Sequence, residues 1–150
     1  MTNLYDAAIA EEVKARIAKL KPDSPRQWGK MTPAQALAHC SASMEEAVGL
    51  RFPPRRFIGR ILGPIVKKSI IYDEKPIHRN ASTSKSLLVT DERDFELERK
   101  RLCELIDRFV TGGPDRCTRH PHSFLGPLTP VEWAAMMYHH LAHHLRQFGV

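Results

Sequence analysis

Apolar positions recur at helical spacing in five segments of this chain. In the first, roughly Leu4 to Leu20, the apolar set includes Leu4, Ala7, Ala8, Val13, Ile17 and Leu20. The stretch KPDSPRQWGK, with two prolines and a glycine, ends it. The second begins at MTPAQ, where Thr32 can cap, Pro33 suits the first helical position and Gln35 completes a capping box. It carries ALAHCSASMEEAVG and should end near Gly49. The third spans Arg55 to Tyr72, and Gly63-Pro64 is expected to kink or split it. From Asp73 to Thr90 no helical period is visible, which predicts a long crossover with some extended backbone. The fourth helix should start near Thr90 or Asp91, bury Phe95, Leu102, Leu105, Ile106 and Phe109, and stop at Gly112-Gly113-Pro114. The fifth repeats the start signal of the second, with Thr129 as cap, Pro130 first and Glu132 in the box, and runs to about Gln147. Long amphipathic helices without paired strands predict an all-α fold. The expected form is a four-helix bundle with a long crossover connection and an additional short or kinked helix, in a single domain over residues 1–150.

The last segment, YHHLAHHLRQFGV, places four histidines within six residues. Advancing about 100° per residue from Trp133 puts Met137 about 40° to one side, His144 about 20° on that side and His140 about 20° on the other. Both histidines therefore fall in the middle of the apolar face. His143 lies about 80° off, at its edge, and His139 about 120° off, toward water. An i, i+4 histidine pair sets two imidazoles side by side, the spacing of helical metal sites. Two arrangements would satisfy such a pair: a shared divalent metal, or a separate polar partner for each ring across the bundle. A third metal ligand has to come from elsewhere, and His39, His78, His120 and His122 are available, beside carboxylates. His39 alone lies well inside a predicted helix, although its phase sets it off the stripe through Leu37, Cys40, Met44 and Val48. His120 and His122 lie on the loop before the last helix and read as surface-loop residues, with the mouth of a pocket as the other placement, and Cys40 reads as core.

Composition adds little to this picture and removes several classes. The chain has 150 residues, enough for a core of its own. Three isolated cysteines, Cys40, Cys103 and Cys117, form no disulfide pattern and favour a reducing compartment. The N-terminus lacks a signal-peptide apolar run, and the most apolar window, Phe57 to Ile71, is too short to span a bilayer. A cytoplasmic protein is expected. The net charge is +6, part of it concentrated in Arg51, Arg55, Arg56, Arg60, Lys67 and Lys68. That segment reads as a buried helix with basic residues on its wet side. No nucleic-acid motif accompanies it, so neither nucleic acid nor membrane is expected as a partner.

A histidine in an early helix after WGKMTPAQALA, with a C-terminal HxxxH and a glutamine three residues later, resembles the DinB-like (DinB/YfiT) superfamily. GPLTPVEWAAMMYHHLAHHLRQFGV resembles an uncharacterised subfamily within it. The resemblance implies a four-helix bundle with a long crossover, a homodimer, and a divalent metal held by three histidines, which fall here on His39, His140 and His144. Nickel or zinc would be the usual ion, and iron is not excluded by imidazole ligands. The superfamily often has arginine directly after the last ligand, whereas Leu145 stands here before Arg146.

The resemblance further implies a thiol-dependent transferase or a hydrolase with a small-molecule, thiol-type substrate. Three neutral histidines leave open coordination positions, as catalytic sites do. No glutamate follows the first histidine of HLAHH, so this is not a protease HExxH motif. His143 is a candidate partner or proton shuttle behind the ligands, and Gln147 a candidate for orienting one of them. A second reading keeps the bundle as a non-catalytic binding or dimerisation module with a vestigial metal site.

Overall fold

The structure, a computed structural model, describes residues 1–81 and 83–150. Those residues form five α-helices and no β-strand: α1 Ala7–Lys19, α2 Pro33–Ala47, α3 Phe57–Lys67, α4 Phe95–Gly112 and α5 Pro130–Gln147. The capping boxes at Thr32–Gln35 and Thr129–Glu132 both form, so the two Thr-Pro starts are read correctly from sequence. Helix α1 is shorter than its apolar pattern, because Asp6 caps it. Leu4 lies outside it yet is fully buried, its N–H bonded to the Ala134 carbonyl. Helix α4 begins four or five residues later than its expected start. Asp94 is the cap, accepting from the Leu97 N–H at 2.8 Å, while Asp91 pairs with Arg93. Gly113, at φ +61°, ends α4 as expected.

Helix α2 packs along α4 and α5, and α1 packs on both α4 and α5. Between these four helices lies a continuous core that includes Val13, Met44, Leu102, Ile106, Trp133, Met137 and Leu141. Helices α2 and α5 are buried over most of their circumference, with Ser41, Ser43 and Glu46 inside as well as the apolar stripe.

Helix α3 departs from expectation in two ways. It runs unbroken through Gly63-Pro64. A proline disfavours helical backbone before it mainly by clashing with the preceding Cβ, and glycine has none. The irregularity falls instead at Lys68–Tyr72, a π-helical turn that buries Ile70 and Ile71. Nor is α3 a buried helix with a wet basic side, since only Gly59 and Gly63 are buried along it. These glycines lie against the backbone of Phe124 and Leu125, where a Cβ at Gly59 would come within 2.4 Å of the Phe124 carbonyl oxygen. Docking through its glycine stripe turns Phe57, Ile61 and Ile65 outward, at 59–77% exposure. Lys67 ties the far end of α3 to Glu132 of α5 at 2.7 Å. The crossover is irregular apart from one 3-10 turn, Lys85–Leu87, and Ser82 lies outside the described residues. No described helix is long and apolar enough to cross a membrane.

Candidate metal centre

The two capped helices carry the histidines that face each other across the core. His39 comes from the middle of α2, and His140 and His144 from successive turns of α5. Their three ring centroids lie 4.7–4.8 Å apart, pair by pair, and each pair meets edge to face. One ligand nitrogen from each falls within 4.8 Å of the other two. The Nε2 atoms of His39 and His140 approach to 2.9 Å.

Neighbouring groups fix two of the three tautomers. The Leu87 carbonyl lies 2.8 Å from His39 Nδ1, so Nδ1 donates and Nε2 presents its lone pair to the centre. Leu87 belongs to the crossover's 3-10 turn, which gives that irregular segment a reason to be ordered. His144 Nδ1 lies 2.9 Å from Gln147 Oε1. The amide orientation is set in turn, because Gln147 Nε2 donates to the Trp28 carbonyl at 2.9 Å. His144 Nδ1 therefore donates and its Nε2 is free as a ligand. Gly29, at φ +78°, makes this possible, since a Cβ there would lie 2.4 Å from the Gln147 amide nitrogen. His140 has no such support: its Nδ1 is buried without a partner among the described residues.

Burial governs the charge state. It pushes His140 well below the usual imidazole range, with repulsion from His144 and His39 adding to it. Burial likewise lowers His144 to about 3 and lowers His39, against which the Leu87 carbonyl acts weakly. All three are neutral at pH 7, the form that binds a metal. These residues fit a divalent ion in kind: three neutral nitrogens, two of them held by outer partners in the way metal-bound histidines are held. Nitrogens about 2.0–2.1 Å from one ion lie about 2.9–3.4 Å apart at angles of 90–109°, and the His39–His140 separation matches the tighter case. The remaining ligand-atom separations all lie within 4.8 Å.

Other sequence candidates fall elsewhere than expected. His139 does not face water. It is 7% exposed, beside Tyr138, with Nε2 buried and unpartnered among the described residues. The reason is that α5 is covered on both sides, so phase separates the two faces but not buried from exposed. His143, assigned to the edge of the face, is also buried, 5.0 Å from the His144 ring and 5.5 Å from the Trp28 ring. His120 is half-buried and donates through Nε2 to the Pro53 carbonyl at 2.8 Å. His122 lies in the loop before α5 but is only half-exposed. Its ring packs 5.4 Å from Trp133, and burial, with Arg55 adding repulsion, lowers it to about 4. Cys40 is core, 3% exposed, and burial raises its thiol.

A cavity of about 560 Å³ opens in front of the three histidines, and His78, His122 and His143 also reach it. A second cavity, about 610 Å³, lies beyond His143 between Trp28, Arg79 and Arg146, where the Arg79 guanidinium stacks 4.5 Å over the Trp28 ring. Sequence reasoning missed the outer partners Leu87 and Trp28, since both act through backbone carbonyls that no side-chain pattern reports. It also missed Glu46, a buried carboxyl in α2 whose pKa burial raises to about 7 against the pull of Arg51.

No curated protein and no solved structure matches this chain. The resemblance to the DinB-like superfamily is corrected by the family comparison, in which no DinB-like family is found and a different family model covers nearly the whole chain. The match runs over residues 5–149, and the chain belongs to the family described as Protein of unknown function (DUF1569).

Proposed function

We propose that the chain is a divalent-metal-dependent enzyme whose ion is held by His39, His140 and His144. The observation that supports this most is the pair of fixed tautomers: Leu87 and Gln147 each take the Nδ1 proton and leave Nε2 bare toward a common centre. A bound divalent ion with three imidazole ligands would keep its full charge and open positions, supplying Lewis acidity and, near neutral pH, hydroxide. Around it the chain's own residues hold His39 and His144 in orientation, wall the cavity with α3 and the crossover, and offer His122 and His143 as hydrogen-bonding groups on that wall. Hydrolysis, or group transfer to a thiol, is the chemistry this arrangement suits. Zinc, nickel and iron are all compatible with imidazole ligands. In this reading α1, α2, α4 and α5 are a four-helix bundle, the segment 73–94 is its crossover, and α3 is the additional helix.

A second reading is a non-catalytic binding module. It is favoured by the 2.9 Å His39–His140 contact, since His140 Nε2–H can donate to His39 Nε2 and satisfy both without an ion. A panel of ester and thiol-transfer substrates tests between the two. The enzyme reading expects turnover that chelation removes and zinc or nickel restores, with the helical circular dichroism unchanged throughout. Turnover indifferent to chelation contradicts it.

A further inference from the structure

The cavity in front of the histidines has features that metal binding does not require. At about 560 Å³ it falls within the ~300–1,000 Å³ of small-molecule pockets. One wall is a stripe of α3, Ile58, Leu62 and Val66, at successive turns. Ile77 and Leu87 of the crossover and Met136 of α5 also line it. No aspartate or glutamate lines it among the described residues, while Arg56 does, its guanidinium 5.6 Å from the Phe124 ring centre. The surroundings therefore favour an apolar body and tolerate a negative charge far better than a positive one.

His122 supplies a directed donor. Its Nδ1 accepts from the backbone N–H of Phe124 at 3.2 Å and of Leu125 at 3.0 Å. With Nδ1 accepting both bonds, the ring proton is on Nε2. The ring lines the same cavity as His39, His140 and His144. An N–H donor that shares one cavity with the three histidines and an aliphatic stripe suits an oxyanion head with a hydrocarbon tail.

We propose that the cavity binds a medium-length aliphatic carboxylate, its chain along Ile58, Leu62 and Val66 and its head toward His122 and the three histidines. The placement of the head rests on the metal-centre reading, and the aliphatic trough does not. Calorimetric titration of the full chain with decanoate and with decylammonium, metal-free and zinc-loaded, tests it. Decanoate should bind saturably at one site in both forms, several-fold tighter with zinc. Decylammonium should bind at least about tenfold more weakly, because a buried cation finds no carboxylate there. Leu62→Asp should weaken decanoate about tenfold or more, by setting a like charge in the trough. Ile65→Asp, on the outer side of α3, should leave it unchanged. Leu62 is 41% exposed and Ile58 44%, so if Leu62→Asp perturbs folding, Ile58→Asp serves in its place. Equal binding of the two amphiphiles, or equal losses from Leu62→Asp and Ile65→Asp, overturns the proposal. Zinc uptake measured on the same samples keeps the two readings apart. Decanoate binding by protein that takes up no zinc sinks the metal centre alone, and zinc uptake without decanoate binding sinks the cavity proposal alone.

Discussion

Helices α3 and α5 are both amphipathic by sequence, and the fold uses them in opposite ways. Helix α5 is buried almost all round and spends its inward face on polar groups, His140, His144 and Gln147 among them. Helix α3 is nearly free of the core. It docks through two glycines, lines a cavity with one apolar stripe and exposes another, including Phe57 at 77%. An apolar stripe thus marks which side of a helix is greasy and not which side is covered. What decides is the closeness of backbone approach, which glycine permits at α3 and which the packing of α1 and α2 enforces at α5.

This contrast can be broken in order of expected size. Trp133→Ala, at 1% exposure in α5, should cost about 3–5 kcal/mol in chemical denaturation. A loss under about 1 kcal/mol would mean that α5 is not the centre of the core. Gly59→Ala comes next, because its Cβ meets the fixed backbone of Phe124 rather than a flexible side chain. It should cost about 1–3 kcal/mol and increase proteolysis around residues 56–72. Unchanged cleavage would show that α3 is not held by its glycine stripe.

Glu132 links the two helices. Burial opposes its charge, but Lys67, Tyr72 and the Thr129 N–H outweigh burial and hold its pKa at about 2. A carboxylate whose folded pKa is depressed stabilises above its unfolded pKa of ~4.5 and loses that contribution as pH falls toward 2. Glu132→Gln should therefore cost about 1–2 kcal/mol at pH 7, a value discounted for partial solvent access, with the gap from wild type closing below pH ~4. A gap independent of pH would contradict the assignment. The smallest effect is expected at Phe57→Ala, within about 0.5 kcal/mol of wild type, since the ring has little to lose.

Much of this architecture could be read from the chain. The Thr-x-x-Gln and Thr-x-x-Glu boxes fixed the starts of α2 and α5 because capping is local chemistry. Phase placed His140 and His144 together because i, i+4 geometry is local too. The rest depended on what lies across the core. His39 is off its own helix's stripe, and it turns inward only because α2 is buried on nearly every side. His139 was misplaced for the same reason at α5. His122 reads as surface because a loop has no phase, and its partial cover comes from the packing of its ring on Trp133. The start of α4 was missed since Asp91 and Asp94 are equally good caps by type, and only the Arg93 ion pair distinguishes them.

The central claim is that His39, His140 and His144, and not the equally buried His139, form one metal site. Cobalt(II) titration of metal-free protein, followed by its visible absorption, tests this most directly. The account predicts saturation at one equivalent in wild type and in His139→Ala, and loss of the absorbing species in His140→Ala. Equal behaviour of the two variants, or no cobalt uptake by the folded wild-type protein, would contradict it.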